Sequence, residues 1–225
     1  MFYETARGDH GLPYNPFKAI VVPRPIAWVS TVSASGVRNL APYSFFNAVG
    51  YYPPLVMIAS GGRPPQGEMK HTMRNVIDTG EFVVNLVPYA LREAMNLTAE
   101  ELPEEADEYD FAGIEAADCH LVKAPRVKAS PVAMECRLHA TVPLPGRGAE
   151  ADSMMAIGEV IGIHIDDAVI TPDGRVDITR IRPLARMGYM DYTSVEHVFA
   201  MYKPLSDDHT GKITRDYHAA AATGD

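Results

Sequence analysis

Residues 24–54 read RPIAWVSTVSASGVRNLAPYSFFNAVGYYPP, and this stretch decides the predicted fold. Residues 27–32 are mostly apolar or β-branched, which favours a strand. Ser35 and Gly36 are typical of a turn, and residues 39–49 resume the strand pattern. The proline pair 53–54 ends that element, because proline cannot donate to a sheet ladder. The stretch therefore predicts the start of a β-meander.

Outward from this stretch, the pattern predicts further short strands and two helices. Strands are predicted at 55–59, 82–87, 131–142 and 157–165, and helices at 72–79, with Thr72 as N-cap and Gly80 as its end, and at about 89–101. In 131–142 the alternation places Val132, Met134, Cys136 and Leu138 on one face and Glu135, Arg137 and His139 on the other. Six or seven strands without regular βαβ alternation favour a mainly β fold, a Greek-key-like antiparallel barrel with a few helices.

Composition and charge exclude several classes of function. The chain has 225 residues and a net charge of −9, with no block of Lys or Arg, which argues against nucleic acid or an anionic membrane as partner. It has neither a signal-peptide pattern at its start nor an apolar run of about 18 residues, so we expect a soluble, cytoplasmic protein without a membrane span.

Cysteine and histidine spacing predicts no metal site. Cys119 and Cys136 form no CxxC pair, and neither a disulfide framework nor a zinc site is indicated. Cys136 lies in an apolar strand pattern and is expected to be a buried thiol. His120 and His139 lack partners at metal-ligand spacing.

Small polar residues interleave with apolar ones along residues 24–54. A flat heteroaromatic ring needs apolar faces and a few hydrogen bonds at its edge, and this mixture offers both. The alternative is that these side chains are simply structural within strands. The polar candidates are Ser30, Thr31, Asn39, Ser44 and Asn47.

Basic residues gather where the first helix is predicted to begin. Lys70, His71 and Thr72 start the segment, with Arg63 before it and Arg74 and Asn75 after it. A helix N-terminus flanked by cations favours an anion, and without a Walker loop a phosphomonoester is a better match than a nucleoside triphosphate. The alternative is a capped surface helix with basic neighbours. No GxGxxG motif follows a strand, which argues against a Rossmann nicotinamide site.

Two further positions are weaker candidates. His164 follows Gly158 and Gly162 in a predicted strand, where missing side chains would let a ligand approach closely, although a lone histidine in a strand is more often simply packed or exposed. Gly188, in the basic and aromatic run 180–192, would allow backbone approach to a ligand or would form a plain turn. Because neither a catalytic triad nor paired carboxylates can be read, a bound cofactor is the simpler source of chemistry.

Six segments, in this order along the chain, are similar to the flavin reductase-like, FMN-binding split-barrel family, which includes flavoredoxin-type proteins. They are PRPIAWVST (23–31), NLAPYSFFNAV (39–49), the proline pair (53–54), KHTMRNVIDTGEFVVNL (70–86), GEVIGIHID (158–166) and RPLARMGYMDY (182–192). The resemblance implies one split-barrel domain over residues 1–205, followed by a tail or arm over 206–225.

The resemblance also implies a cofactor, a partner and a set of site residues. It implies a homodimer that holds FMN, takes hydride from NADH or NADPH, and supplies reduced flavin to a partner monooxygenase. The ring and ribityl chain would lie near Ser30, Thr31, Asn39, Ala41, Pro42, Ser44 and Asn47. The phosphate would lie near Lys70 and Thr72, with His71, Arg24 and Gly188 close by. We choose Ser44 and Asn47 as the residues near the reactive edge of the flavin. Two alternatives stay open: an FMN-binding electron carrier that does not use nicotinamide, and a β-barrel interaction protein without redox chemistry.

Overall fold

The computed structural model describes residues 1–60, 69–146 and 152–201, and within these ranges strands dominate over short helices. In chain order the elements are α1 (Phe17–Ile20), β1 (Arg24–Pro25), β2 (Ala27–Val32), β3 (Arg38–Tyr43), β4 (Phe46–Gly50), β5 (Leu55–Ser60), α2 (His71–Thr79), β6 (Glu81–Leu86), a 3-10 turn (Tyr89–Leu91), α3 (Arg92–Leu97), α4 (Glu108–Phe111), β7 (Ala116–Ala117), β8 (Arg126–Val127), β9 (Val132–Leu144), β10 (Ser153–Ile165), a second 3-10 turn (Asp167–Val169), α5 (Ile178–Ile181), β11 (Leu184–Arg186) and β12 (Tyr192–Ser194).

Seven strands form one antiparallel sheet in the order β3-β2-β6-β9-β10-β5-β4. The two longest strands, β9 and β10, pair with each other near its middle. The sheet curls into a half-barrel. Just before β4 begins, the carbonyl of Phe45 accepts from the N–H of Ala59 in β5 at 2.9 Å. The predicted mainly β antiparallel barrel is thus confirmed.

One core lies between the sheet and α2. Met73 and Val76 of α2 are fully buried against Phe82 and other apolar side chains of the sheet. Gly158 faces Phe82 so closely that an added Cβ would lie 2.3 Å from the Cζ atom of the ring. The gap at Gly158, interpreted from the sequence as room for a ligand, is therefore filled by an aromatic side chain of the core.

A second core lies on the other side of β2. Trp28 is fully buried there with Leu40 and Tyr109, and its Nε1–H donates to Thr98 Oγ1 at 2.8 Å. This bond fixes the loop after α3 to the sheet. Both faces of β2 are thus covered by protein.

The structure corrects several predicted boundaries. The predicted strand 39–49 is two strands, β3 and β4, separated at residues 44–45, and the predicted helix 89–101 is a 3-10 turn followed by the short α3. The N-cap of α2 is Lys70 rather than Thr72, because the Thr72 side chain turns away from its own helix toward β3. The predicted end is confirmed: Gly80 has φ +72° and its N–H donates to the carbonyl of Val76.

Glu135 is a further correction, because it is only 1% exposed although the alternation predicts it on the polar face. The backbone of the segment 120–122 folds over this part of β9 and donates to the carboxylate. Cys136 is buried as predicted.

The predicted tail 206–225, the end of the predicted domain beyond residue 201, and Arg63 lie outside the described residues. Within the described part of the chain, every helix is too short or too polar to cross a membrane.

Candidate active site

A cavity of about 730 Å³ opens between β3, the start of α2 and the loop that follows α3. Its volume lies in the usual range for small-molecule sites. Apolar, hydroxyl, amide and charged groups all contribute to the wall. The lining residues are Lys18, Asn39, Ala41, Pro42, Tyr43, Ser44, Phe45, Ala59, Met69, Lys70, His71, Thr72, residues 98–103 and Glu108.

The start of α2 forms a cationic end of this cavity. Lys70 precedes the first turn and His71 begins it, and both side chains line the wall. The N–H of Arg74 is the first to bond within the helix, to the carbonyl of Lys70 at 3.0 Å. The N–H groups before it have no partner within the helix, and the helix dipole adds to their attraction for an anion.

Two buried hydrogen bonds position this helix end against the sheet. Asn39 Nδ2 donates to Thr72 Oγ1 at 3.3 Å, and both residues are almost completely buried. One turn further, Asn75 Nδ2 donates to Thr31 Oγ1 at 3.0 Å. The helix start and the β3 wall of the cavity are therefore held in one fixed relation.

Tyr43 belongs to the same corner of the cavity. Burial raises the pKa of its phenol to about 12, an effect that a hydrogen bond with Thr72 partly offsets. The phenol is therefore neutral at any physiological pH.

Glu108 is a buried carboxyl group on the cavity wall. It is 6% exposed, and the N–H of Leu40 donates to its Oε2 at 3.1 Å. Burial raises the pKa of Glu108 above its ordinary value, although the hydrogen bonds it accepts and the nearby His71 act in the opposite direction. The bond from Leu40 therefore holds this carboxyl group against β3.

Two exposed carboxylates also line the cavity. Glu100 and Glu101 lie in the loop after α3. The cavity is thus lined by a cationic helix start, by a loop with two carboxylates, and by residues of β3 that carry no charge. Such a distribution suits a ligand with one anionic terminus and a neutral, flat body.

Seven residues predicted as cofactor ligands do line the cavity. They are Asn39, Ala41, Pro42, Ser44, Lys70, His71 and Thr72. Although β3 and α2 are separated by more than twenty residues of sequence, the fold places them side by side.

The remaining predicted residues do not line it. Ser30 and Thr31 are fully buried in β2, Thr31 under α2 through its bond with Asn75 and Ser30 on the other face beside Tyr109. Asn47 is exposed on β4, outside the cavity of the single chain. His164 lies on β10, with Nε2 2.6 Å from Glu135 Oε1, and so contacts a carboxylate rather than the cavity.

Arg24 and Gly188 act one layer behind the wall. The Arg24 guanidinium donates to the carbonyls of Val21 and Met187 at 2.6 and 2.7 Å and also to that of Lys18. An added Cβ on Gly188 would lie 2.5 Å from the Cβ of Ala19. The hydrogen bonds of Arg24 therefore fix α1, and the missing side chain of Gly188 lets α1 pack closely against it. Lys18, which lies in α1, reaches the cavity.

Sequence reasoning missed Lys18, Glu108 and the loop 98–103. The acidic composition of residues 99–110 is equally typical of a solvated surface segment. The useful signal was Glu108 next to Tyr109 in an otherwise polar stretch, since a large aromatic residue there indicates that the stretch returns to the core.

Residues 19–182 match the family model described as the flavin reductase like domain. The chain belongs to the flavin reductase-like family. Among curated relatives, an uncharacterized protein of Aquifex aeolicus is 40% identical over 84% of this chain and 92% of its own length.

Solved structures of flavin reductase-like proteins show the same fold. Nitrilotriacetate monooxygenase component B from Bacillus cereus is 30% identical and matches with a TM-score of 0.81 over 89% of this chain and 98% of its own. The 2-nitrobenzoate 2-nitroreductase of Pseudomonas fluorescens is 26% identical, with a TM-score of 0.78 over 91% of this chain and 97% of its own. The predicted split-barrel family is thereby confirmed.

Proposed function

We propose that this flavin reductase-like protein binds FMN in the cavity and works as an NAD(P)H-dependent flavin reductase that supplies reduced flavin to a partner monooxygenase. The observation that carries the proposal is the cavity itself, which has a cationic helix start at one end and a neutral wall beside it. Family membership supports a flavin as ligand, and the likeness to a monooxygenase component supports a monooxygenase as partner.

The residues present fit FMN. A phosphomonoester dianion would be held by Lys70, His71 and the first N–H groups of α2. The ring system would lie against Ala41 and Pro42, while Asn39 and Ser44 offer hydrogen-bonding groups to its edge. Bound FMN would supply the hydride and electron transfer, which no described side chain of the cavity provides.

The chain's own part in the mechanism is to position the cofactor. Asn39 is hydrogen-bonded to Thr72, so its side chain is already ordered on the cavity wall before the cofactor binds. Glu108 accepts from the N–H of Leu40 at Oε2, which fixes the position of its carboxyl group. The loop 98–103 and Phe45 complete the lining of the cavity.

The proposal includes a homodimer. Asn47 lies on the exposed face of β4, and large apolar residues Val49, Tyr51 and Tyr52 beside it are 53–73% exposed. A second copy bound to this face would cover these side chains and place its own residues next to Asn47. Light scattering of the protein as it elutes from a size-exclusion column would test the homodimer. A molar mass of one chain at all protein concentrations would contradict it.

A spectrum under air-free conditions tests the function. Purified protein is titrated with FMN and then mixed with NADH or NADPH, and the flavin absorbance is followed. Bleaching with either nicotinamide is the expected result. If the bound flavin does not bleach with either nucleotide, the reductase proposal is wrong.

A second candidate is an FMN-binding electron carrier that receives electrons from a protein donor. The exposed carboxylates of Glu100 and Glu101 on the cavity lining favour this candidate, because they would repel the phosphates of a nicotinamide dinucleotide and attract a basic protein surface. In the same experiment the carrier would bind FMN yet fail to bleach with NADH and NADPH.

A further inference from the structure

A cluster of potential metal ligands lies on the β9–β10 pair, apart from the cavity. Glu135 pairs in register with Gly162, and Ala133 pairs with His164. Glu135 and His164 are therefore diagonal neighbours on one face of the sheet, a separation that long side chains bridge. The register shifts between Val160 and Gly162, and such bulges re-aim side chains and occur often beside functional sites.

Gly162 lets Leu121 and Glu135 pack closely on the backbone of β10. An added Cβ on Gly162 would lie 3.2 Å from Leu121 and 3.6 Å from the Cβ and Cδ atoms of Glu135. Glycine in this position therefore gives the Glu135 side chain room beside the strand that carries His164.

The third member of the cluster is Cys119. Its Sγ atom, a carboxylate oxygen of Glu135 and an imidazole nitrogen of His164 all lie within 4.8 Å of one another. In addition, the His120 ring stacks on His164 with centroids 5.3 Å apart and planes 15° apart. Thiol, carboxylate and imidazole groups thus converge from a loop and two strands, which the spacing in the sequence does not show.

The backbone holds the carboxylate in place and charged. Glu135 Oε1 accepts from the N–H of His120 at 2.9 Å, and Oε2 accepts from the N–H groups of Leu121 and Val122 at 2.6 and 3.2 Å. Burial by itself would raise the pKa of Glu135, but these N–H donors and His164 outweigh it and lower that pKa. A fixed anion therefore faces the thiol.

A divalent cation placed among the three groups attracts both the carboxylate and the thiolate, which offsets their mutual repulsion.

We propose that Cys119, Glu135 and His164 form a binding site for one divalent transition-metal ion of the zinc class. A ligand set of one thiolate, one imidazole and one carboxylate suits Zn²⁺, whose bonds to these ligands measure about 2.0–2.3 Å. A water molecule takes the fourth position of the tetrahedron. Three protein ligands with one exchangeable position are also the arrangement found in zinc sites that are open to solvent.

Binding exchanges protons for the metal. The S–H bond of Cys119 breaks, its proton leaves to solvent, and the metal–sulfur bond forms. His164 Nε2, now 2.6 Å from Glu135 Oε1, gives up that contact and donates its lone pair to the metal, while its proton moves to Nδ1 or to solvent. Oε1 keeps the N–H of His120 and accepts the metal in place of His164. No electron is transferred.

Cobalt(II) is the probe for this site, since a bound thiolate gives cobalt an intense sulfur-to-metal charge-transfer absorption. The full-length protein is stripped with a chelator and titrated with Co²⁺, and Zn²⁺ is then added in competition. The expected result is one cobalt per chain with a thiolate band that Zn²⁺ removes. The cobalt spectrum needs no flavin. A protein that fails to bind cobalt would therefore contradict the metal site without contradicting the proposed flavin reductase function, and a protein that fails to reduce flavin would contradict only that function.

Matched variants assign the ligands. Cys119→Ser should abolish the thiolate band, and His164→Gln should weaken cobalt binding at least tenfold. His139→Gln changes an exposed histidine on β9, the strand that carries Glu135, and it should bind as the unsubstituted protein does. Persistence of the band in Cys119→Ser, or equal weakening by His139→Gln, would overturn the assignment.

Protection of the thiol gives a second measurement in the unsubstituted protein. Zn²⁺ should slow alkylation of Cys119, followed by mass spectrometry of the peptide, at least tenfold. An alkylation rate that Zn²⁺ leaves unchanged, or a cobalt spectrum without a thiolate band, contradicts the proposal.

Discussion

Replacing Lys70 by alanine removes the cation that precedes α2 on the cavity wall. A charge-assisted contact of this kind contributes about 1–3 kcal/mol to binding. The Lys70 side chain is half-buried, so solvent screens part of its charge, and His71 and the helix N–H groups remain. We therefore expect the affinity for FMN to fall by about 2 kcal/mol, or roughly 30-fold.

Fluorescence titration with FMN and with riboflavin measures this loss, because riboflavin lacks the phosphate. Lys70→Ala should weaken FMN binding and leave riboflavin binding nearly unchanged. Arg74→Ala is the matched control, since Arg74 follows in the same helix but pairs with Glu104 at 3.1 Å and does not line the cavity. Equal losses for FMN and riboflavin, or equal losses in the two variants, would refute the placement of the phosphate at α2.

Two predictions concern stability. Gly158→Ala should lower the free energy of unfolding by about 1–3 kcal/mol in urea denaturation, because the new methyl group would overlap the Phe82 ring in the core; an unchanged midpoint would show that this core is loosely packed. Glu108→Gln tests the raised pKa of Glu108. A carboxyl group whose pKa is higher in the folded state than in the unfolded state destabilises the fold as pH rises through that folded value. The amide can still accept from Leu40, so the variant should be more stable than the parent at pH 8, with the difference vanishing toward pH 4; a constant difference between these pH values would contradict this.

Several features of the fold could be predicted from local sequence patterns. The strand β2, the turn at Ser35 and Gly36, and the end of α2 at Gly80 all follow from interactions between residues close in the chain. The β3 wall and the basic start of α2 were predicted for the same reason, since their polar and charged side chains are adjacent in sequence. The family resemblance joined these pieces into one cofactor site.

Which side chains reach the cavity was decided by tertiary structure. Ser30 and Thr31 have the composition of a binding strand, but β3 and β6 flank β2 on both sides, and α2 covers Thr31 while Tyr109 covers Ser30. Alternation along a strand gives the face of a residue, and it does not indicate what covers that face. For this reason Glu135, predicted on the polar side, lies under the backbone of residues 120–122.

By itself, the sequence determined the β-rich elements, their family and the chemistry of two cavity walls, because each of these depends on residues within a few positions of one another. The tertiary structure alone brought Glu108 to Leu40 across 68 residues, and Cys119 to His164 across two strands and a bulge. Contacts of this kind depend on the register between strands and on the path of the loops. Packing over the whole molecule determines both, and no local sequence pattern does.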